Sequence, residues 1–169
     1  MSERYISTKP VPWRGSPTAK ILIITDFPNH EDETLGTLIS GDAGKILEAS
    51  LPVPLSQCLI VSMSAYRPDN NDFAYLVDST ALSTGIAAIK NHIQSNKPNL
   101  IICLGANSLR EFVHKYDIYK WRGSPLLYEG IPFLPTHHPR EVVTMRPLYP
   151  IFSFDLKKAI DYMEGKNRI

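Results

Sequence analysis

Four short apolar runs punctuate the chain: Ile21–Thr25, Leu59–Met63, Leu100–Leu104 and Ile131–Pro135. Each is rich in β-branched or bulky residues and shows no polar alternation, which predicts strands buried on both faces, the mark of a parallel sheet. Between them the spacing changes. Leu82, Ile86, Ile89 and Ile93 recur at helical intervals, so Thr80 to Ser95 is expected to be an amphipathic helix packed on the sheet. Gly41-Asp42-Ala43-Gly44 opens a helix through Ala49, Asn107 or Ser108 can cap another through Val113, and a last one runs from about Phe152 to Glu164. An acidic segment from Asn29 to Ser40 is expected to be a loop. Strands alternating with helices, across connections too long for hairpins, predict an α/β fold. The expectation is a three-layer α/β/α domain with a central four-stranded, mainly parallel sheet, covering residues 1–169 as one unit.

Composition narrows the class. Hydrophobic residues make up 43% and charged residues 21%, values of an ordinary globular protein. The net charge of +1 supplies no global field for nucleic acid, so any DNA contact must use local clusters such as Arg140 with Arg146, or Lys157 with Lys158. The two cysteines, Cys58 and Cys103, sit inside apolar runs and read as buried thiols, without a Cys-x-x-Cys pair to hold metal. No apolar run approaches the ~20 residues needed to cross a bilayer, so no membrane partner is expected. The polar, proline-interrupted start does not read as a signal peptide. A monomeric, cytoplasmic protein is the expectation.

Chemistry-bearing residues follow the strands. Asp26 comes after the first, Ser62 to Asn71 end and follow the second, Gly105 to Ser108 follow the third, and Thr136-His137-His138-Pro139 closes the fourth. In a parallel sheet these positions fall on one rim, where open α/β folds bind ligands. Asp26, Ser62, Gly105 and His138 are therefore expected to line a single cleft.

Those residues carry a resemblance. Ile23-Ile24-Thr25-Asp26-Phe27-Pro28 resembles a strand ending in Gly-Glu-Ala-Pro-Gly. Gly41-Asp42-Ala43-Gly44-Lys45 resembles a glycine-rich entry to the first helix, and Arg67-Pro68 with Asn70 an Arg-Pro-Pro-Gly-Asn loop. Pro98 to Ala106 resembles a third strand and its turn, and Pro135-Thr136-His137-His138-Pro139 a Pro-Thr-Tyr-His-Pro-Ser signature. Asp155-Leu156-Lys157-Lys158-Ala159 matches a closing helix. In this order the pieces resemble the uracil-DNA glycosylase superfamily, most closely its iron–sulfur branch, across nearly the whole chain.

The resemblance implies base excision from DNA, single- or double-stranded. A nucleotide leaves the stack, its glycosidic bond passes through an oxocarbenium-like sugar, and negative charge builds on the base. It implies His138 as the donor to the pyrimidine O2 and Asp26 as the acid. Asp42 matches an acid used by a related branch. Phe27, Ile39 and Ser62 fall at base-binding positions, and Gly105, Arg140 and Arg146 at DNA-contacting ones. The departures are specific. Ser62 stands where the family has an asparagine that reads uracil, an aliphatic Leu38 or Ile39 where it stacks an aromatic ring, and Arg140 where it has serine. The four cluster cysteines are missing, so neither a cluster nor another cofactor or metal is expected. The alternative reading is a weak or inactive glycosylase-fold protein that binds DNA or a protein partner. A nucleotide- or flavin-binding protein would want a glycine-rich turn after the first strand, and Thr25-Asp26-Phe27-Pro28-Asn29 is not one.

Overall fold

A computed structural model describes residues 2–166. The sheet has six strands rather than four: β1 (Arg14–Gly15), β2 (Ile21–Thr25), β3 (Cys58–Ser62), β4 (Leu100–Leu104), β5 (Leu126–Tyr128) and β6 (Ile131–Thr136), in the order β1-β3-β2-β4-β6-β5. The four expected strands form the parallel centre, in registers that pair Thr25 with Ser62, Ile24 with Cys103 and Leu104 with Thr136. Both additions are antiparallel edges. β1 is too short to show a period. β5 returns into β6 through Glu129 and Gly130, both at positive φ (49° and 81°), as the tightest hairpin turns require.

The acidic segment is not all loop. Residues His30–Leu35 form helix α1, because Asn29 and Asp32 make a reciprocal capping box and Gly36 ends the turn in the left-handed region. α2 (Gly41–Ser50), α6 (Pro139–Thr144) and α7 (Tyr149–Met163) lie on one face of the sheet. There Ile21, Ile23, Ile60, Ile102 and Leu134 pack with Leu47, Phe152 and Leu156. α3 (Thr80–Asn96), α4 (Ala106–Val113) and the single turn α5 (Ile118–Trp121) cover the other, over Leu22, Ile24, Val61, Ile101 and Phe133. Alternate residues of every central strand therefore feed two cores, which explains the unbroken apolar runs. α4 begins one residue after Gly105, which is its N-cap at φ 91°. Neither expected cap acts as one: Asn107 turns to Asp26, and the Ser108 hydroxyl bonds back to Leu104 O at 3.0 Å. Among the described residues no helix is long and apolar enough to cross a membrane.

Candidate active site

The carboxyl ends of β2, β4 and β6 meet at one rim. Asp26 leaves β2, and its Oδ1 accepts the backbone N–H of Phe27 at 2.8 Å, while Oδ2 accepts Asn107 Nδ2 at 3.3 Å. His138 follows β6 and is the N-cap of α6, its Nδ1 accepting the backbone N–H of Arg140 at 3.1 Å. Its Nε2 lies 2.6 Å from Thr25 Oγ1 and 3.9 Å from Asp26 Oδ1. A Cβ on Gly105 would stand 3.6 Å from the Cβ of His138, so β4 supplies the floor between the other two strands.

Arg140 closes this corner. Its Nη2 donates to Asp26 Oδ1 at 2.6 Å and to the Phe27 carbonyl at 3.0 Å, and lies 3.0 Å from His138 Nε2. Its Nε lies 3.3 Å from His138 Nδ1, and its guanidinium carbon stands 4.8 Å from the centre of the Phe27 ring. Burial alone pushes the Asp26 carboxyl up. Arg140, then His138 and the Phe27 and Asn107 donors outweigh it and hold the group below the usual carboxylate range. The His138 imidazole is pushed down to about 3 by burial and by the Arg140 charge, with Asp26 opposing, so the ring is neutral at physiological pH. Because the Arg140 backbone N–H is a fixed donor, Nδ1 is the acceptor and the single ring proton is assigned to Nε2, facing Thr25. Both ring nitrogens are thus engaged by the protein.

A buried clamp fixes the histidine loop. Asp155 of α7, with no exposed surface, accepts Arg122 Nε at 2.8 Å, Arg122 Nη2 at 2.6 Å and Thr136 Oγ1 at 2.8 Å. Gly123 packs so closely on the same carboxylate that a Cβ would reach 2.7 Å from Oδ1, at a φ of 73°. Thr136 immediately precedes His137 and His138. His137 is buried, holds Glu141 Oε1 at 2.9 Å, and meets the Tyr119 ring edge-on.

Phe27 is buried beneath Arg140. Ser62, buried beside Thr25 in register, has an Oγ with no partner among the described residues. Ile39 is 1% exposed, left-handed at φ 50°, and part of the core on the α2 face, so it presents nothing to a stacked base. Asp42 is exposed in the first turn of α2 and shares a cleft of about 450 Å³ with Arg140, Asn29 and Lys45. Arg146 is exposed in a short 3-10 turn. The Arg140 guanidinium is turned inward onto Asp26 rather than outward. A larger cavity of about 620 Å³ lies between Ile6, Trp13, Tyr66 and α3 and is lined by none of Asp26, His138 and Arg140, so the expected sharing of one cleft by Asp26, Ser62 and His138 does not hold. Ser62 also borders it, but its Oγ has no exposed surface. Thr25 and Asn107 were not anticipated as partners of Asp26 and His138. Their only signal is position, at the end of β2 and the start of α4.

An iron–sulfur cluster needs four ligands of the thiolate kind. Cys58 and Cys103 lie in the cores on opposite faces of the sheet, and burial pushes both thiols up to about 12. These residues do not fit a cluster.

The class is an α/β/α protein with a mainly parallel sheet whose strand ends bring an aspartate, a histidine and an arginine together. The chain belongs to the uracil DNA glycosylase superfamily, whose model matches residues 12–162. It is 28% identical to the type-4 uracil-DNA glycosylase of Sulfurisphaera tokodaii, over 95% of this chain and 83% of that protein. The type-4 uracil-DNA glycosylase of Saccharolobus solfataricus is 25% identical, over 92% and 77%. A DNA polymerase of Bacillus phage SP01 is 27% identical over 96% of this chain, which spans only 18% of the polymerase.

Proposed function

We propose that this protein is a DNA glycosylase that hydrolyses the N-glycosidic bond of uracil or a modified pyrimidine in DNA after base flipping. The observation that carries the reading is the pairing of Asp26 and His138, 3.9 Å apart on the strand-end rim of a fold from this superfamily. Asp26 is held ionised, as a carboxylate must be to stabilise an oxocarbenium-like sugar and take the proton of the attacking water. The C1′–N bond breaks with its electron pair on the base, water adds to C1′, and donors at the His138–Arg140 corner meet the charge on the departing ring.

A second reading is favoured by one observation: Arg140 seals Asp26, and both nitrogens of His138 are taken. In that reading the protein binds DNA without excising a base. One assay separates the two. Oligonucleotides carrying uracil, hypoxanthine, xanthine or hydroxymethyluracil, single-stranded and duplex, are incubated with the protein and then cleaved at abasic sites with alkali. Strand cleavage on any of them supports the glycosylase. Binding by anisotropy with no cleavage on any of them leaves the non-catalytic reading.

A further inference from the structure

We propose that Arg140, rather than the His138 ring, is the group that holds the departing base. The inference rests on the glycosylase reading above and assigns its electrophile.

Three observations carry it. First, the one donor of the His138 ring is already held by the protein. Nδ1 is fixed as the acceptor for the Arg140 backbone N–H at 3.1 Å, and Nε2 faces Thr25 Oγ1 at 2.6 Å. A neutral imidazole has one proton, and this arrangement uses it inside the protein. Second, the guanidinium occupies the reacting corner itself, with Nη2 donating to Asp26 Oδ1 and the Phe27 carbonyl and lying 3.4 Å from Thr25 Oγ1, and with Nε 3.3 Å from His138 Nδ1. The nearest atoms of Asp26 and His138 are 3.9 Å apart and Arg140 Nη2 stands against both, so a base that reaches His138 Nε2 also meets Arg140. Third, Nη1 has no hydrogen-bond partner among the described residues, and Arg140 forms one wall of an open cleft with Asn29, Asp42 and Lys45. The guanidinium therefore has donors to spare on a charge that does not titrate in the working range.

The step balances without a proton from the protein. The C1′–N bond breaks and its electron pair stays on the base. Arg140 neutralises the resulting anion by charge and by N–H donors, keeping its own protons. Water bonds to C1′ and gives a proton to the Asp26 carboxylate. The base anion takes its proton from solvent on release. Transfer of Nη2 from Asp26 Oδ1 to a base carbonyl would uncover the carboxylate oxygen in the same movement. A guanidinium has donors and no acceptor, so it pairs with base carbonyls such as the pyrimidine O2, disfavours the exocyclic amine of adenine, and disfavours cytosine only where position 4 is the contact edge. Ser62, without an amide, adds no opposing preference.

Single-turnover base release tests this on wild type, Arg140→Ala, Arg140→Lys and His138→Asn, using whichever oligonucleotide the wild type cleaves best. His138→Asn is the informative control, because an asparagine oxygen sits near the position of Nδ1 and is a good N-cap for α6. Arg140→Ala is expected to slow release by roughly 10²–10³, the usual effect of losing a donor to a developing anion. Millimolar guanidinium should restore part of that loss and ammonium should not. Arg140→Lys should fall between wild type and alanine, which keeps the test usable if the alanine variant folds poorly in a thermal melt. His138→Asn should cost less than Arg140→Ala. If Arg140→Ala releases base at the wild-type rate, or His138→Asn is the more damaged variant, the assignment is wrong while the glycosylase reading stands. If wild type releases no base from any oligonucleotide, both fall together.

Discussion

Asp155→Ala should lower stability by about 3–5 kcal/mol, the cost of breaking a buried ion pair from one side. The magnitude comes from what is stranded. Asp155 accepts three hydrogen bonds of 2.6–2.8 Å and has no exposed surface, so nothing replaces it. Thr136 Oγ1, equally buried, loses its acceptor, worth about 1–3 kcal/mol by itself. Arg122 is different: its side chain is 28% exposed and can turn to water. That asymmetry predicts an order. Arg122→Ala strands a fully buried carboxylate and should be at least as costly as Asp155→Ala, and the double variant should cost less than the sum of the two. Urea unfolding measures all three, and the midpoint of a thermal melt should fall by about 6–20 °C for Asp155→Ala, at about 2–4 °C per kcal/mol for a chain of this size. Because Thr136 leads directly into His138, base release should fall with it even at temperatures where the variant is folded. A loss below about 1 kcal/mol, or an Arg122→Ala clearly milder than Asp155→Ala, would refute this account of the clamp.

Stability should also decline in mild acid. The His138 pKa is lowered from 6.5 to about 3, so its contribution is complete above pH 6.5 and is lost as pH falls toward 3. By linkage this amounts to about 3 kcal/mol at pH 4. Asp26, also lowered, adds its loss only below 3.8. Urea titrations from pH 7 to 4 should show this slope in wild type and a flatter one in His138→Asn; parallel curves would mean the ring titrates normally. Asp26→Asn should reduce base release while leaving DNA affinity unchanged or slightly higher, since a negative charge near phosphates is removed; weaker binding by anisotropy would contradict the proposed role. Cys58 and Cys103, both pushed up to about 12 by burial, should resist a thiol-specific reagent until the protein unfolds. Rapid native labelling of either would show that its core opens.

The parts of the fold legible in the sequence were those set by local, repeated patterns. Unbroken apolar runs marked the four central strands because each is covered on both faces, and Leu82, Ile89 and Ile93 marked the buried stripe of α3. The edge strands were not legible for the same reason inverted. Arg14–Gly15 is two residues long, and Leu126–Tyr128 is half-exposed, so neither is bound to an apolar code. α1 left a readable signal in Asn29 and Asp32, a capping box, outweighed by the polarity of the segment around it. For the site, Asp26 and His138 were visible as polar residues closing apolar strands. The partnership of Arg140 with them was not, because it depends on α6 turning back immediately after Pro139.

The departures from the family pattern form one physical unit around that turn. At the position the sequence resemblance gives to a stacking ring, Ile39 is driven into the core at a left-handed φ of 50°. Arg14 holds the segment there, with Nη1 2.9 Å from Leu38 O and 3.1 Å from Ile39 O. Swinging a side chain back toward the rim would break both of those hydrogen bonds. An apolar surface for a flipped base therefore has to come from elsewhere. Phe27 is the aromatic ring in the corner, and Arg140 covers it at 4.8 Å. Serine at position 140 would leave the Phe27 ring and the Asp26 carboxylate bare, with no cation between them. Arginine there supplies a flat, weakly hydrated group that stacks on the ring and donates to the carboxylate at once. The guanidinium at Arg140 thus fills the corner that a stacked base would need, and the change at Ser62 is expected to act together with it. Restoring Ser62→Asn alone should yield little uracil preference while Arg140 still fills the corner. Excision assays on uracil against hypoxanthine would show the coupling as a larger change in preference for the paired Ser62→Asn, Arg140→Ser variant than the two single changes predict together. Simple additivity of the two would show the positions to be independent.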